Sequence, residues 1–337
     1  MRIAHVRERG APTGSPWRLV GALDPGDRPT RWLDLEVARW RAVRAQAQLA
    51  HDSVLHRVPV TTLDDHLARG LRIEALRELI EGFEARDDDD EAVLGADALH
   101  FGPPVLRPPS IRDFYAFEGH VEAMWARRGG TIPERWYTLP VFYFTNASEI
   151  RGDGDPIHAP RGSVELDFEL EVAAVVDTPG IDLPADRAEA VIGGYTIFDD
   201  FSARDLQREE MALHLGPAKG KDFASAFGPS IVTPDELVDR REGTGFDLAM
   251  TVAVNGDEIG RGRWADAQFG FGEMLERASA DVRLRPGDLI GSGTVDTGCL
   301  LQTKEETLGR YLEPGDVVTL AIERLGELRN PIVARPG

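Results

Sequence analysis

The segment VELDFELEVAAVVD, Val164–Asp177, combines an apolar run with an acidic residue at every second position of its first half. Those acidic residues are Glu165, Asp167, Glu169 and Glu171. Side chains on one face of a β-strand recur every second residue, so an extended chain directs all of them to one side. Carboxylates that lie so close together repel one another and resist burial. The segment therefore predicts a strand whose acidic face meets either open water or a cation.

Strand-like segments dominate the chain beyond residue 108. Examples are LPVFYFTNAS, VIGGYTIFDDF and DLAMTVAVNGDEIGRG, and the last contains Asn255-Gly256, a typical hairpin turn. Helical patterns are few, and strands and helices do not alternate regularly as they do in a doubly wound sheet. We predict a mainly β protein with few helices (α+β). Two Pro-Pro pairs in FGPPVLRPPS favour a boundary between a small N-terminal domain, residues 1–108, and a domain of residues 109–337.

The first hundred residues have their own pattern. A short strand is predicted at 2–6, and apolar residues at helical spacing around Leu76 and Leu79 predict a helix with Thr62 or Asp64 as N-cap. The acidic run Asp87–Asp90 is typical of a solvated turn. Several histidines lie in polar contexts and are predicted at the surface: His51, His56, His66, His100 and His158.

Composition excludes several classes of partner. The formal net charge is -20 and the pI is about 4.8, which argues against nucleic acid and anionic membranes because both are bound by basic surfaces. Cys299 is the single cysteine, so no intrachain disulfide can form, and it is predicted to be a small buried residue. No apolar run is suited to a signal peptide or a membrane span. A cytoplasmic protein is expected.

Acidic residues in three separate segments suggest a metal site. They are Asp113 in IRDFYAFEGH, Glu169 and Glu171 in DFELE, and Asp200 in GYTIFDDFSARD. Hard divalent cations take oxygen ligands, and Mg²⁺ favours a few carboxylates together with water and substrate oxygens. Glu-x-Glu alone is common on surface strands, but its combination with the Asp200 segment favours a Mg²⁺ site, with Ca²⁺ or Mn²⁺ as alternatives.

The segment SARDLQ follows a Tyr-Thr-x-x-x-Asp strand, and GKDF lies a short way downstream. Together these motifs resemble the fumarylacetoacetate hydrolase family, and the resemblance extends from Asp113 to about Asp316. The spacing of Asp113, Tyr115 and His120 is similar to that of the longer members of the family. The resemblance implies a mixed β-sheet roll as the catalytic domain, preceded by a small N-terminal domain.

The resemblance also implies a role for each site residue. It makes Asp113, Glu169, Glu171 and Asp200 the metal ligands. It makes His120 the catalytic base and Lys221 its electrostatic partner. The substrate contacts it implies are Tyr115, Tyr143, Arg204, Gln207 and Thr294. Either Arg127 or Arg128 is expected to bind a substrate carboxylate.

Two positions depart from the family pattern. Gln302 stands where longer hydrolases carry a glutamate that orients and polarises the catalytic histidine. An amide accepts a hydrogen bond from imidazole but cannot stabilise imidazolium by charge. Glu118 or Glu122 is an alternative partner for His120. Met211 stands where the hydrolase pattern has a substrate-binding tyrosine.

These observations favour a metal-dependent hydrolase that cleaves a carbon–carbon bond in an acylpyruvate- or fumarylacetoacetate-like acid, in the catabolism of aromatic compounds. An isomerase, hydratase or decarboxylase of a related 2-oxo acid would use the same site. A metal-binding β module without catalysis is the third interpretation. Members of the family commonly form homodimers, so a homodimer is expected.

Overall fold

The computed structural model describes residues 1–45, 55, 58–85 and 90–336. The predictions made for Asp87–Asp89, His51 and His56 lie outside those residues. Asp90, predicted in a solvated turn, is instead buried, and Arg41 Nη1 lies 2.6 Å from its Oδ1. The Asp90 carboxylate can be buried because the Arg41 guanidinium supplies the opposite charge.

β-Strands form most of the regular structure, as predicted. They are β1 (Arg2–Glu8), β2 (Arg18–Ala22), β3 (Arg31–Asp34), β4 (Val93–Gly95), β5 (Leu99–Phe101), β6 (Ile111–Phe114), β7 (Phe142–Thr145), β8 (Ile150–Arg151), β9 (Leu166–Asp167), β10 (Leu170–Val176), β11 (Ile192–Asp200), β12 (Ser202–Ala203), β13 (Ser225–Val232), β14 (Arg241–Glu242), β15 (Gly245–Phe246), β16 (Ala249–Val254), β17 (Asp257–Arg263), β18 (Leu289–Gly291), β19 (Val317–Ile322) and β20 (Gly326–Pro331).

The α-helices are short. They are α1 (Leu35–Ala45), α2 (Leu63–Ala68), α3 (Arg77–Glu81), α4 (Glu118–Arg127), α5 (Ala185–Ala188), α6 (Arg204–Ala212), α7 (Phe271–Ser279) and α8 (Leu300–Thr303). Within the described ranges, no helix is both long enough and apolar enough to span a bilayer.

One large mixed sheet runs through the molecule in the order β4-β3-β2-β1-β13-β11-β10-β18-β6-β7, and β5 and β8 pair at its side. Strands from the first hundred residues continue this sheet because β1 pairs antiparallel with β13, with Arg2 opposite Val232. Apolar residues of both parts, such as Leu33 and Phe227, share one buried cluster. The division at residue 108 stays a prediction.

The central strands β10 and β11 are buried along their whole length. Burial on both faces explains why VAAVV and IGGYTIF are continuous apolar runs rather than alternating patterns. A second sheet has the order β17-β16-β19-β20. Its β16–β17 hairpin turns at Asn255 and Gly256, both at positive φ as predicted for this dipeptide.

The predicted N-terminal helix is interrupted. Thr62 caps α2 by accepting a hydrogen bond from the Asp65 backbone N–H, which confirms one of the two proposed caps. Gly70 at φ +74 then ends this helix, and a 3₁₀ turn at Ile73–Leu76 precedes α3. The surface prediction for His66 is wrong: its side chain is buried, and Nε2 lies 2.8 Å from the Arg72 carbonyl.

Candidate active site and metal centre

Four buried carboxylates converge where β6, β10 and β11 lie near one another. Asp113 lies on β6, Glu169 directly precedes β10, Glu171 lies on β10, and Asp200 ends β11. One oxygen from each carboxylate lies within 4.8 Å of the others. The pairing of β10 with both β11 and β18, and of β18 with β6, brings together residues that are distant in sequence.

The acidic segment does not form one continuous strand. β9 ends at Asp167, and the chain leaves strand geometry at 168–169 before β10 begins. Glu165 is half-buried and lies 2.9 Å from Arg208 Nη2. Asp167 accepts a hydrogen bond of 2.7 Å from Arg204 Nε. Of the four acidic residues in this segment, Glu169 and Glu171 therefore join Asp113 and Asp200 in the cluster. The interruption between the strands lets Asp167 contact Arg204 instead.

Lys221 and Arg204 supply the positive charge next to these acids. Lys221 Nζ donates to Glu169 Oε2, and also to Asp200 Oδ2 at 2.6 Å. Arg204 Nη2 makes an ion-pair contact of 2.7 Å with Glu169 Oε1, and Nη1 donates to Gln207 Oε1 at 3.0 Å. Burial acts to raise the pKa of Glu169, but the two cations outweigh it and bring that pKa well below its ordinary range.

The other three carboxylates have pKa values shifted the opposite way. Burial raises the pKa of Asp113 and of Glu171 well above the ordinary value; the charge of Asp200 raises the pKa of Asp113 further, and Asp113 raises the pKa of Glu171 further. Burial also raises the pKa of Asp200, although Lys221 opposes the shift. Among the described residues, Asp113 and Glu171 therefore lack a paired cation, whereas Glu169 contacts two and Asp200 shares Lys221 with it.

A divalent cation fits this set of donors. Asp113 Oδ1, Glu171 Oε1 and Asp200 Oδ1 are buried oxygens without a hydrogen-bond partner among the described residues. Buried polar atoms are almost always paired, so three such oxygens side by side indicate a missing partner. Asp167 and the four converging carboxylates outnumber Lys221 and Arg204 by three charges. Oxygen ligands and excess negative charge are what Mg²⁺ and Ca²⁺ require.

Two glycines make room for the cluster. A side chain at Gly291 on β18 would place its Cβ 2.7 Å from Asp113 Oδ1 and 3.1 Å from Glu171 Oε2. Gly293 has φ +84, and its N–H donates to Glu171 Oε2 at 2.9 Å. Any other residue at 291 would push the carboxylates apart, and at 293 it would meet the Phe114 carbonyl.

His120 lies buried in the first turn of α4, where one segment, residues 293–302, contacts both its backbone and its ring. The His120 backbone N–H donates to Asp296 Oδ1 at 3.1 Å. The ring Nδ1 lies 2.7 Å from Gln302 Oε1, and the Cys299 thiol lies 3.4 Å from the same oxygen. Burial lowers the pKa of His120, so the imidazole is neutral near pH 7.

The structure separates the alternative partners of His120. Gln302 contacts its ring, whereas Glu118 and Glu122 are exposed, and Glu118 accepts a hydrogen bond from Tyr137. Cys299 is fully buried, as predicted.

A cavity of about 300 Å³ adjoins the carboxylates and His120. Every substrate contact implied by the resemblance lines it: Tyr115, Tyr143, Arg204, Gln207 and Thr294. Arg128 lines the cavity, whereas Arg127 does not, which separates the two arginines. Tyr143 donates its hydroxyl hydrogen to Asp200 Oδ2. The lining also includes apolar side chains: Met124, Val141, Met211 and Leu301.

A family model described as the C-terminal part of fumarylacetoacetate (FAA) hydrolase matches residues 110–333. The chain belongs to the fumarylacetoacetate hydrolase family. The resemblance seen in SARDLQ and GKDF is thus confirmed, and it covers the residues that build the cavity.

Relatives in the fumarylacetoacetate hydrolase family differ in the reaction that their names describe. The chain is 32% identical over 194 residues to the mitochondrial oxaloacetate tautomerase fahd2 of Xenopus laevis. The aligned residues make up 58% of each protein. The chain is 30% identical over 195 residues to the 2,4-didehydro-3-deoxy-L-rhamnonate hydrolase of a Sphingomonas strain, covering 58% of this chain and 65% of that one. The match thus spans less than two thirds of either relative.

Solved structures support the fold. The 5-carboxymethyl-2-hydroxymuconate delta-isomerase of Mycobacterium smegmatis superposes with a TM-score of 0.65 at 24% identity, covering 100% of both chains. The fumarylacetoacetate hydrolase of Exiguobacterium antarcticum superposes with a TM-score of 0.69 at 25% identity, covering 99% of this chain and 100% of that one. The mainly β fold of the family is therefore confirmed.

Some residues that hold the site residues in place could not be recognised from the sequence. Asp296 contacts the backbone of His120, and Cys299 contacts Gln302, yet neither belongs to a recognisable motif. Asp167 accepts hydrogen bonds from the backbone N–H groups of Leu300 and Leu301 at the start of α8. For Asp296 and Cys299 the only available signal was their position shortly after GSGT, whereas Asp167 belongs to DFELE itself and only its contacts with α8 were not predicted.

Proposed function

We propose that this protein is a metal-dependent hydrolase that cleaves a carbon–carbon bond in an acylpyruvate- or fumarylacetoacetate-like acid. The observation that carries the proposal is that the buried His120 lines the same cavity as carboxylates of the cluster. A base and a cation site on one cavity match the needs of a reaction that develops negative charge on a substrate oxygen. A non-catalytic metal-binding module would not need the base or the cavity.

Asp113, Glu169, Glu171 and Asp200 would hold the ion, with Mg²⁺ proposed and Ca²⁺ or Mn²⁺ as alternatives. When bound, such an ion stabilises negative charge on substrate oxygens as a Lewis acid. Lys221 keeps two of these carboxylates ionised and in place through its bonds to Glu169 and Asp200. Its proposed role is therefore electrostatic organisation of the site.

His120 acts as the base in this proposal. With Nδ1 donating to Gln302, Nε2 carries the lone pair and takes a proton from water. The hydroxide adds to the acyl carbon of the substrate, and the bond from that carbon to the neighbouring methylene breaks. The methylene keeps the electron pair and recovers the proton from the imidazolium. For an acylpyruvate the products are a carboxylic acid and pyruvate, so atoms and charge balance.

The remaining substrate contacts are assigned by position. Arg204 and Gln207 lie next to Glu169, where they would orient the carboxylate end of the substrate. Tyr115, Tyr143 and Thr294 line the same cavity and would contact substrate oxygens. The substrate would be a small oxo acid of the kind formed in aromatic-compound catabolism, and the active form would be a homodimer in the cytoplasm.

One observation favours a second candidate function. Gln302 places a neutral amide on the ring nitrogen of His120, which weakens charge stabilisation of imidazolium. Moving a proton between two carbons, or between carbon and oxygen, needs no activated water. Of the alternatives isomerase, hydratase and decarboxylase of a related 2-oxo acid, this observation therefore favours the isomerase or decarboxylase, because a hydratase also needs activated water.

The test compares both reactions on one protein preparation supplied with Mg²⁺ or Mn²⁺ in large excess over the protein. Acylpyruvate cleavage is followed by loss of the enol absorbance and by NMR of the products. Enol–keto conversion of oxaloacetate is followed in parallel. We expect cleavage that is lost in His120→Gln and after chelation. Conversion without cleavage would replace the hydrolase by the alternative, and neither reaction would contradict both.

A further inference from the structure

The Gln302 amide must have its oxygen toward His120 Nδ1, whereas a glutamate at this position could use either of its oxygens. A side-chain amide has one accepting end and one donating end, whereas both oxygens of a carboxylate accept. Only the oxygen of Gln302 can accept the hydrogen bond from His120 Nδ1–H. If the amide turned over, its NH₂ group would face Nδ1, and the ring proton would move to Nε2. The ring would then lack a lone pair on the nitrogen left for the cavity.

Cys299 supplies a reason for the amide to keep one orientation. Its Sγ lies 3.4 Å from Gln302 Oε1 and 4.0 Å from His120 Nδ1, so one oxygen faces two donors. The side chain is fully buried, and burial raises the pKa of the thiol, so it carries its hydrogen at neutral pH. In the reversed orientation the amide N–H would face sulfur, which is only a weak acceptor.

We propose that Cys299 is a positioning residue that donates its thiol hydrogen to Gln302 Oε1 and so keeps His120 as the Nδ1–H tautomer. The proposal rests on the proposed function, in which His120 Nε2 is the base. The thiol thereby performs a task that does not arise when a carboxylate occupies position 302. It acts through Gln302 and touches no reacting atom.

The backbone around the pair supports this assignment. Cys299 directly precedes α8, and Asp167 holds the start of that helix through the Leu300 and Leu301 N–H groups at 2.8 and 3.0 Å. The Gln302 N–H in turn donates to the Cys299 carbonyl at 3.2 Å. The spacing of three residues in one helical turn thus fixes the thiol beside the amide, and a small side chain at 299 fits the fully buried position.

The experiment reads the tautomer directly. The full chain is labelled with ¹⁵N-histidine, and Nδ1 and Nε2 shifts of His120 are measured at pH 7.5, with assignment by the spectrum of His120→Gln. We expect a pyrrole-type Nδ1 and a pyridine-type Nε2 in the native protein. Cys299→Ser keeps a donor and should preserve this pattern. Cys299→Ala should lower the ratio of the Nδ1–H to the Nε2–H tautomer about two- to fivefold, the effect of one weak hydrogen bond.

A second background separates this role from simple packing. In Gln302→Glu the carboxylate accepts from either oxygen, so adding Cys299→Ala should leave the tautomer unchanged. Cys299→Val replaces Cys299→Ala if the smaller side chain impairs folding, because it also lacks a donor. The proposal is overturned if Cys299→Ala or Cys299→Val leaves the tautomer ratio unchanged in the protein with native Gln302. It is also overturned if the substitution changes the ratio equally with Gln302 and with Gln302→Glu. The expected shifts in a protein that turns over no oxo acid would sustain it and contradict only the proposed function.

Discussion

Glu169 and Glu171 lie two residues apart, and we expect their replacement by glutamine to change the stability of the metal-free protein in opposite directions. Glu169 contacts both Lys221 and Arg204, and its buried charge is needed by them. Within the part of the chain that the structure describes, Glu171 makes no ion pair with a cationic side chain, and burial together with Asp113 raises its pKa. Glutamine keeps the size of each side chain, removes its charge and leaves one oxygen that can accept a hydrogen bond.

The magnitudes follow from these contacts. Removing one partner of a buried ion pair costs about 3–5 kcal/mol, and we expect about 3 for Glu169→Gln because Lys221 keeps Asp200 and Arg204 keeps Asp167. Glu171→Gln should instead add about 1 kcal/mol at pH 8, since it removes an unfavourable buried charge and still accepts from Gly293. The stabilisation by Glu171→Gln is complete at a pH above the raised pKa of Glu171 in the folded protein. It vanishes below the ordinary value of 4.5, where the carboxyl group is protonated in both the folded and the unfolded state.

The assay is denaturant unfolding of chelator-treated protein at pH 8, repeated at pH 4.5. Glu165→Gln is the matched control from the same segment: its half-buried carboxylate pairs with the exposed Arg208, and such pairs contribute about 0–1 kcal/mol. Both site variants should lose the stabilisation that Mg²⁺ gives the native protein. Equal destabilisation by Glu169→Gln and Glu171→Gln would refute the division of roles.

Three further outcomes are expected. The pKa values of Asp113, Glu171 and Asp200 are raised, so Mg²⁺ must displace protons when it binds. The affinity for Mg²⁺ should therefore fall as the pH is lowered from 8 to 6. Calorimetry in buffers of different ionisation enthalpy should detect the released protons. Gln302→Glu should raise the kcat of acylpyruvate cleavage by up to about 10²-fold, while Glu118→Gln and Glu122→Gln change it little because both carboxylates are exposed. Asp296→Ala should lower kcat about tenfold with unchanged Mg²⁺ affinity, since it releases the backbone of His120. Glu276→Ala, which removes a similar carboxylate contact to the backbone at the start of α5, should leave kcat unchanged.

The sequence could predict the mainly β class and the convergence of the carboxylates because both depend on local patterns and recognisable motifs. Alternation and the Asn255-Gly256 turn act over a few residues, and SARDLQ and GKDF identify the family. It could not predict that β1 pairs with β13, because that pairing joins residues more than two hundred positions apart. A Pro-Pro boundary marks an extended path, but it does not determine which sheet the preceding strands join.

The details of the site were less predictable for a different reason. Period-two alternation placed Glu165, Asp167, Glu169 and Glu171 on one face, but the break after Asp167 assigns them to different partners. Whether a strand bends at such a point depends on Arg204 and on the start of α8, which are far away in sequence. The alternation therefore indicated how many acids are present, while long-range contacts decide which of them remain without a cation.

The choice between hydrolysis and proton transfer depends on the charge next to one imidazole. The cluster, the cavity and the position of His120 serve either reaction, because both develop negative charge on a substrate oxygen. A base that activates water must hold its proton while hydroxide attacks, and an adjacent carboxylate favours that state. Gln302 holds the ring in the same place without that charge. Gln302→Glu adds that charge and keeps an oxygen that accepts from Nδ1, so the ratio of cleavage to enol–keto conversion in this variant measures how far the charge determines which reaction this fold performs.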